Sequence, residues 1–95
     1  MSLEELRKKI NAIDEKIVSI LNERVKISLE IGKNKLENNQ SIYAPHREKE
    51  VLDRIKEMNQ GPMTSESLEA VYREIMSSSL SLEKPLKISY LGTEG

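Results

Sequence analysis

The first third of the chain repeats apolar residues at alternating steps of three and four, and no proline interrupts them. This apolar seam consists of Leu3, Leu6, Ile10, Ile13, Ile17, Ile20, Ile27 and Ile31. Such spacing is typical of one face of a long amphipathic helix that packs against other helices. It predicts a continuous helix over residues 3 to about 37, which at ~1.5 Å per residue would be about 50 Å long.

The predicted helix is longer than a compact chain of this size is wide. A globular chain of 95 residues has a radius of gyration of ~12–13 Å and a diameter of roughly 35 Å. We therefore expect a second copy of the chain to cover the overhanging part of the seam in an intertwined homodimer. A plain two-stranded coiled coil is the alternative, but two further helices with apolar faces argue against it.

Two shorter helices are predicted in the rest of the chain. Pro45 is tolerated in a first helical turn and predicts the start of a second helix, which ends near residues 60–62. Thr64 is a candidate N-cap for a third helix. The inner face of that helix carries Leu68, Tyr72 and Ile75. The fold class predicted is all-α, with one long and two shorter helices.

The end of the chain changes character. Pro85 is expected to end the third helix at about Glu83, because proline removes a helical hydrogen bond. Residues 87–95 alternate like a strand and then reach a glycine loop. We interpret residues 1–83 as one domain, and residues 84–95 as a linker and the truncated first strand of another.

Composition excludes several classes of function. Lys plus Arg (15) nearly balances Asp plus Glu (16), which disfavours a general nucleic-acid binder. No apolar run is long enough to span a membrane and no signal-peptide pattern is present, so the cytoplasm is expected. The absence of cysteine excludes disulfides and thiolate chemistry. We expect neither a metal nor a cofactor.

Arg24 occupies a seam position where an apolar side chain is expected. A guanidinium there is costly unless it is paired, and it cannot lose its proton. Either a carboxylate of the protein or an anionic ligand must meet it. Lys35, eleven residues later, returns to nearly the same side of the helix ~16 Å along the axis. The two cations could bracket a small anion.

Polar side chains of the other helices point toward the same region. Glu48 and Arg47 precede Val51 by three and four residues on the second helix, so both side chains can face inward. The inner face of the third helix continues to Ser79 and Glu83. Arg7 is different, because it lies ~25 Å along the first helix from Arg24 and about 100° around it. Arg7 could contact the same ligand only from another subunit.

Each candidate also has an interpretation without a ligand. Arg24 could form a buried salt bridge, and Lys35 could interact with the helix dipole near a C-terminus. Ser79 could be a small packing residue. Surface positions would suit the others, which are Arg7, Arg47, Glu48 and Glu83, together with His46.

The order of these residues resembles the all-helical chorismate mutases of the AroQ class. The resemblance covers residues 3 to about 83 and rests on the stretches LRKKINAID (6–14), LNER (21–24), IGKNK (31–35) and PHRE (45–48). The tail, residues 82–95, resembles the junction into the prephenate dehydratase domain of bifunctional proteins, with Thr93 where that family has proline. That second activity is expected only in a full-length protein.

The resemblance implies a unimolecular rearrangement of the dianion chorismate to prephenate, in phenylalanine biosynthesis, without a cofactor. It implies that Arg24 and Arg7 of the partner subunit hold the carboxylates, and that Lys35 binds a carboxylate and the ether oxygen. Glu48 would accept the substrate hydroxyl, with Arg47 assisting. Ser79 would help to bind a carboxylate, and Glu83 would donate to the ether oxygen.

Two residues depart from the family pattern. Many members have Asp before the proline of the second helix, where this chain has Ala44, so an N-cap and an acceptor for the substrate hydroxyl are missing. Some members have Gln at the position of Glu83. A carboxylate would repel charge developing on the ether oxygen, so Glu83 must be protonated to donate, which requires a raised pKa.

Three other functions stay open at this stage. An isochorismate-pyruvate lyase uses a related fold and a similar anion pocket, and it would release pyruvate. A non-catalytic regulatory or dimerisation module would sense chorismate or prephenate without turnover. A plain helical adaptor would bind no dianion.

Overall fold

The computed structural model describes residues 1–90 and the side chains of residues 1–85. It contains three helices, α1 (Leu3–Glu37), α2 (Pro45–Met58) and α3 (Ser65–Tyr90). The predicted all-α fold is confirmed for the described residues, which include no strand. None of the described helices is long and apolar enough to cross a membrane.

Helix α1 has the predicted bounds and a well-formed start. The Ser2 hydroxyl accepts a hydrogen bond from the Glu5 N–H at 3.1 Å, and a Glu5 carboxylate oxygen accepts one from the Ser2 N–H at 3.4 Å. This reciprocal pair is a capping box. The carboxylates of Glu4 and Glu5 also lie in the first turn, where the helix dipole favours negative charge.

The face of α1 that packs within the chain is not the apolar seam. All eight seam residues are exposed, with relative accessibilities between 47% and 63%. The buried and half-buried positions of α1, which contacts α3, are Leu21, Arg24, Val25, Ser28, Leu29, Gly32, Lys35 and Leu36. The apolar members of this set lie ~100° around the helix from the seam. This second apolar face of α1 was not predicted from the sequence.

Helices α2 and α3 are joined by a short hydrogen-bonded turn. Asn59, the C-cap of α2, donates its side-chain N–H to the Met63 carbonyl at 2.9 Å. Thr64 then caps α3, since its hydroxyl oxygen accepts from the Ser67 N–H at 3.1 Å. The predicted helix starts at Pro45 and after Thr64 are confirmed. Helix α3 packs against both α1 and α2.

Pro85 does not end α3. The helix continues to Tyr90 with Pro85 inside it, so the strand predicted from residue 87 was wrong as far as residue 90. An interior proline costs one hydrogen bond, but an isolated strand leaves its whole row of N–H and C=O groups without a β-partner. The helical backbone satisfies more of these groups. Residues 91–95, the rest of that predicted strand, lie outside the described residues.

The chain is elongated and has a small core. Its extents are 61 × 26 × 15 Å and its radius of gyration is 17.2 Å, against the ~12 Å expected for a compact chain of this length. Residues 1–20 are all exposed, so the first half of α1 projects from the rest of the chain. Among residues 1–85, the buried ones lie away from this projecting half, and they are Gly32, Leu36, Ile55, Ser79 and Glu83.

Candidate active site

A cavity of about 430 Å³ lies between the second half of α1, the start of α2 and the end of α3. Its size is within the usual range for small-molecule sites, ~300–1,000 Å³. Six of the seven predicted site residues line it, namely Arg24, Lys35, Arg47, Glu48, Ser79 and Glu83. The three helices therefore bring together polar residues that are up to 59 positions apart in the sequence, from Arg24 to Glu83.

The cationic side of the cavity belongs to α1. Arg24 and Lys35 are half-buried and line the same wall, ~16 Å apart along the helix. Ser28 lies between them, one turn after Arg24. A wall with two cations and one hydroxyl is suited to an anion that carries more than one charged or polar group.

Arg24 is held by an aromatic ring and makes no ion pair within the described residues. Its guanidinium carbon lies over the Tyr72 ring of α3, 5.8 Å from the ring centroid. Among the side chains of residues 1–85, the ion pairs within 4.0 Å all involve other cations. The buried salt bridge considered for Arg24 is thus not found in this part of the chain.

Glu83 is buried at the far end of the cavity, so the surface position considered for it was wrong. Gly32 of α1 packs against it, since a β-carbon built at that glycine would lie 3.4 Å from the Glu83 Cγ and 3.6 Å from its Oε1, which are van der Waals distances. Burial raises the pKa of the Glu83 carboxyl above its ordinary value, and the charge of Lys35 opposes part of that rise. The site therefore keeps this carboxyl group neutral to a higher pH than an exposed glutamate would be.

The start of α2 presents one half-buried and one exposed side chain. Glu48 is half-buried, and it lines the cavity beside Ala44, which caps α2 without a side-chain hydrogen bond. The Arg47 guanidinium is 63% exposed and lies 3.6 Å from a carboxylate oxygen of Glu50. Arg47 thus reaches the cavity from its rim and also forms an ion pair with Glu50 on the surface.

Ser79 is the most buried of the polar cavity residues, with 5% relative accessibility. Its hydroxyl donates to the Ile75 carbonyl one turn earlier at 3.1 Å. In this rotamer the hydroxyl offers only its lone pairs to the cavity, and it would have to rotate to donate to a carboxylate.

Two predicted or considered residues lie elsewhere. Arg7 is exposed and is absent from the cavity wall of its own chain, ~25 Å along α1 from Arg24. His46 is 89% exposed and lies 3.9 Å from Glu50, consistent with the surface role considered for it. Within the described residues, no cluster of three or more His, Asp or Glu could hold a metal ion.

Sequence reasoning missed part of the cavity wall. Ser28 could have been found, because it follows Arg24 by four residues on the face already traced to Lys35. The apolar part of the wall consists of Ile31, Ile42, Ala44, Val51, Met76 and Leu80. Ile42 belongs to the connection between α1 and α2, which has no periodicity that would assign it to a site.

Comparison with known proteins identifies the family. A family model described as chorismate mutase type II matches residues 6–84. The chain belongs to this family. One relative of the chain, a bifunctional chorismate mutase/prephenate dehydratase of Aquifex aeolicus, is 46% identical to it over 94 residues. A protein of the same description from Stutzerimonas stutzeri is 40% identical over 98 residues.

The chain spans about a quarter of the length of these two relatives. The alignments cover 95% and 98% of the chain but 26% and 27% of the respective relatives. Both alignments therefore match the chain to one portion of a longer relative.

Solved chorismate mutases share the fold. The Thermus thermophilus enzyme (form II) is similar with a TM-score of 0.84 and 33% identity, over 86% of this chain and 93% of that one. The Helicobacter pylori chorismate mutase, solved in complex with prephenate, gives a TM-score of 0.77 and 28% identity, over 96% and 94% of the two chains.

Proposed function

We propose that this chain is a chorismate mutase that rearranges chorismate to prephenate in aromatic amino acid biosynthesis. The observation that carries the proposal is the cavity in which Arg24 and Lys35 of α1 face the buried Glu83 of α3. Two cations and a neutral acid suit a dianion that develops negative charge on an ether oxygen as it reacts. Family membership and the complex of the Helicobacter pylori relative with prephenate, the product, support the same reaction.

The reaction places few chemical demands on the protein. One ether C–O bond breaks and one C–C bond forms within a single molecule, so neither a nucleophile nor a proton transfer is required. The protein must hold the compact reactive conformer and stabilise the charge that grows on the ether oxygen. Prearranged charges in a cavity that excludes water are effective because they need no reorganisation during the reaction.

We assign the roles by position in the cavity. Arg24 binds one carboxylate, and Lys35 binds the other together with the ether oxygen. Protonated Glu83 donates a hydrogen bond to that oxygen. Glu48 accepts the substrate hydroxyl.

Arg47 adds positive charge at the rim, and its contribution is small because the side chain is exposed and shared with Glu50. Ser79 contributes to carboxylate binding if its hydroxyl turns away from the Ile75 carbonyl. We expect both residues to matter less than Arg24 and Lys35.

We propose further that two copies of the chain form an intertwined homodimer, and that Arg7 of the partner subunit completes each site. The exposed seam supports this assembly, since eight Leu and Ile side chains along one helix would otherwise face water. The projecting first half of α1 carries Arg7, which its own chain leaves far from the cavity.

In the longer protein, we propose residues 1–83 as the mutase domain and residues 84–95 as the connection to a prephenate dehydratase domain. The bifunctional relatives support this division. Because α3 crosses the proposed boundary, the connection begins as helix.

The experiment that tests the function follows the loss of chorismate absorbance with the purified chain, with prephenate identified as product. An Arg24→Ala variant is the matched test of the cavity, and we expect it to lose most of the activity. Chorismate binding without turnover would favour the sensor module instead. Pyruvate released from isochorismate would favour the lyase, and binding of neither compound would leave a helical adaptor.

A further inference from the structure

We infer that Tyr72 is a positioning residue, which holds the Arg24 guanidinium toward the cavity while leaving its charge available to the substrate. The inference rests on the proposed function. The Tyr72 ring lies 5.8 Å from the guanidinium carbon, within the ~6 Å range of cation–π contacts. Tyr72 is not one of the described residues that line the cavity, so it acts through Arg24.

The choice of partner matters for a cation that must bind a carboxylate. A protein carboxylate beside Arg24 would cancel its charge and occupy its N–H groups, and the substrate would have to displace it. An aromatic ring attracts a cation through the negative face of its π-system and carries no net charge. The guanidinium therefore stays charged and keeps donors for bidentate binding of a carboxylate.

Two carboxylates of α3, those of Glu69 and Glu83, contact groups other than Arg24. Glu69 is one turn before Tyr72, but its Oε1 lies 3.4 Å from the Lys56 ammonium and 3.7 Å from the Arg73 guanidinium. Glu83 lies three turns after Tyr72 and packs beside Gly32. The Tyr72 ring thus faces Arg24, while the carboxylates of Glu69 and Glu83 are directed toward other groups.

Partial burial makes the contact significant. Arg24 and Tyr72 are both half-buried, so water screens their attraction less than it would on the open surface. A mobile guanidinium would have to be ordered when the substrate binds, and the ring removes part of that cost in advance. The loss of the ring should therefore weaken substrate binding more than it slows the bound substrate.

The first test compares Tyr72→Phe with Tyr72→Leu in chorismate turnover. We expect Tyr72→Phe to keep KM within about twofold, and Tyr72→Leu to raise KM roughly threefold to tenfold with a smaller change in kcat. In an Arg24→Ala background, Tyr72→Leu should raise KM no further, because the pair is already broken. An equal rise in that background would show a merely structural role and overturn the inference.

A second test covers the outcome in which Tyr72→Leu fails to fold. Phenylalanines with increasing numbers of ring fluorines at position 72 keep nearly the same shape while weakening the negative face. We expect KM to rise stepwise with fluorination at constant melting temperature, and an unchanged KM would overturn the inference. A wild-type chain that neither converts nor binds chorismate would instead overturn the proposed function, and this inference with it.

Discussion

Glu83 is a single carboxyl group whose environment decides its chemistry. It has 9% relative accessibility, and burial raises its pKa. The other charged side chains around the cavity are Arg24 and Lys35 from α1 and Arg47 and Glu48 from α2. Of these groups, Lys35 opposes the rise in pKa, because its charge favours the ionised form of Glu83. Since desolvation is the larger effect, Glu83 stays protonated to a higher pH than an ordinary glutamate.

The Glu83→Gln variant should flatten the pH dependence of the mutase. In the wild type, we expect kcat/KM to be higher at about pH 5 than at about pH 8, because activity needs the protonated acid and is lost as the pH rises through the raised pKa. Glutamine donates at both pH values. The measurement is initial rates of chorismate loss, and an identical pH profile in both proteins would contradict a proton-donating Glu83.

The same titration should affect stability in a defined direction. The folded protein binds the Glu83 proton more tightly than the unfolded chain does, so ionising this group costs folding free energy. The wild type should therefore lose stability relative to Glu83→Gln as the pH rises above the ordinary glutamate range through the raised pKa. Denaturant unfolding of both proteins across this range measures the difference, and a constant difference would argue against a raised pKa.

Individual site residues were accessible to sequence reasoning where helical periodicity applies. Arg24 stood out because a charge replaced an apolar residue, and Lys35 followed from the angle per residue. Tyr72 was placed on the inner face of α3, but its contact with Arg24 depends on how two helices cross. Glu83 looked polar and terminal, and its burial beside Gly32 depends on how α1 and α3 pack.

At the scale of elements, capping chemistry predicted helix starts better than proline predicted a helix end. Pro45 and Thr64 both mark observed starts, because each suits the hydrogen bonding of a first turn locally. Pro85 removes one bond, but whether the helix ends there depends on what else the backbone can pair with. The packing face of α1 was missed because the seam carries the stronger repeat.

Ala44→Asp should stabilise α2 and improve substrate binding. An aspartate N-cap accepts a first-turn N–H that Ala44 leaves without a side-chain partner, which is worth about 1 kcal/mol, or roughly 4–8 °C in melting temperature. Because Ala44 lines the cavity, the new carboxylate could also accept the substrate hydroxyl and lower KM. Thermal melting and chorismate kinetics measure the two effects.

Ala44→Val is the matched control, because it adds volume without an acceptor. It should show neither gain. A rise in melting temperature in both variants would mean that packing, and not capping, limits the start of α2.

At the scale of the whole molecule, the elongated shape is the main sign of assembly. The radius of gyration is 17.2 Å, the buried core is small and lies at one end, and the apolar seam along α1 is exposed. A second chain that covers the seam would supply the missing apolar burial, the dominant favourable term in association.

Charges on the seam should therefore dissociate the dimer. The double variant Ile13→Glu, Ile17→Glu places two carboxylates where apolar packing is proposed, and we expect monomers, lower stability and loss of mutase activity. Light scattering after size-exclusion chromatography measures the mass. Ser19→Glu, on the far side of α1, is the control and should remain dimeric. A double variant that stays dimeric would show that the seam is not the interface.

Mixing two inactive variants tests the shared site most directly. Arg7→Ala and Arg24→Ala should each form nearly inactive homodimers. Unfolding and refolding them together gives heterodimers, in which one of the two sites recovers both arginines. Random pairing predicts about a quarter of the wild-type activity per chain. Activity no higher than the average of the separate variants would contradict a chorismate mutase site built from two chains.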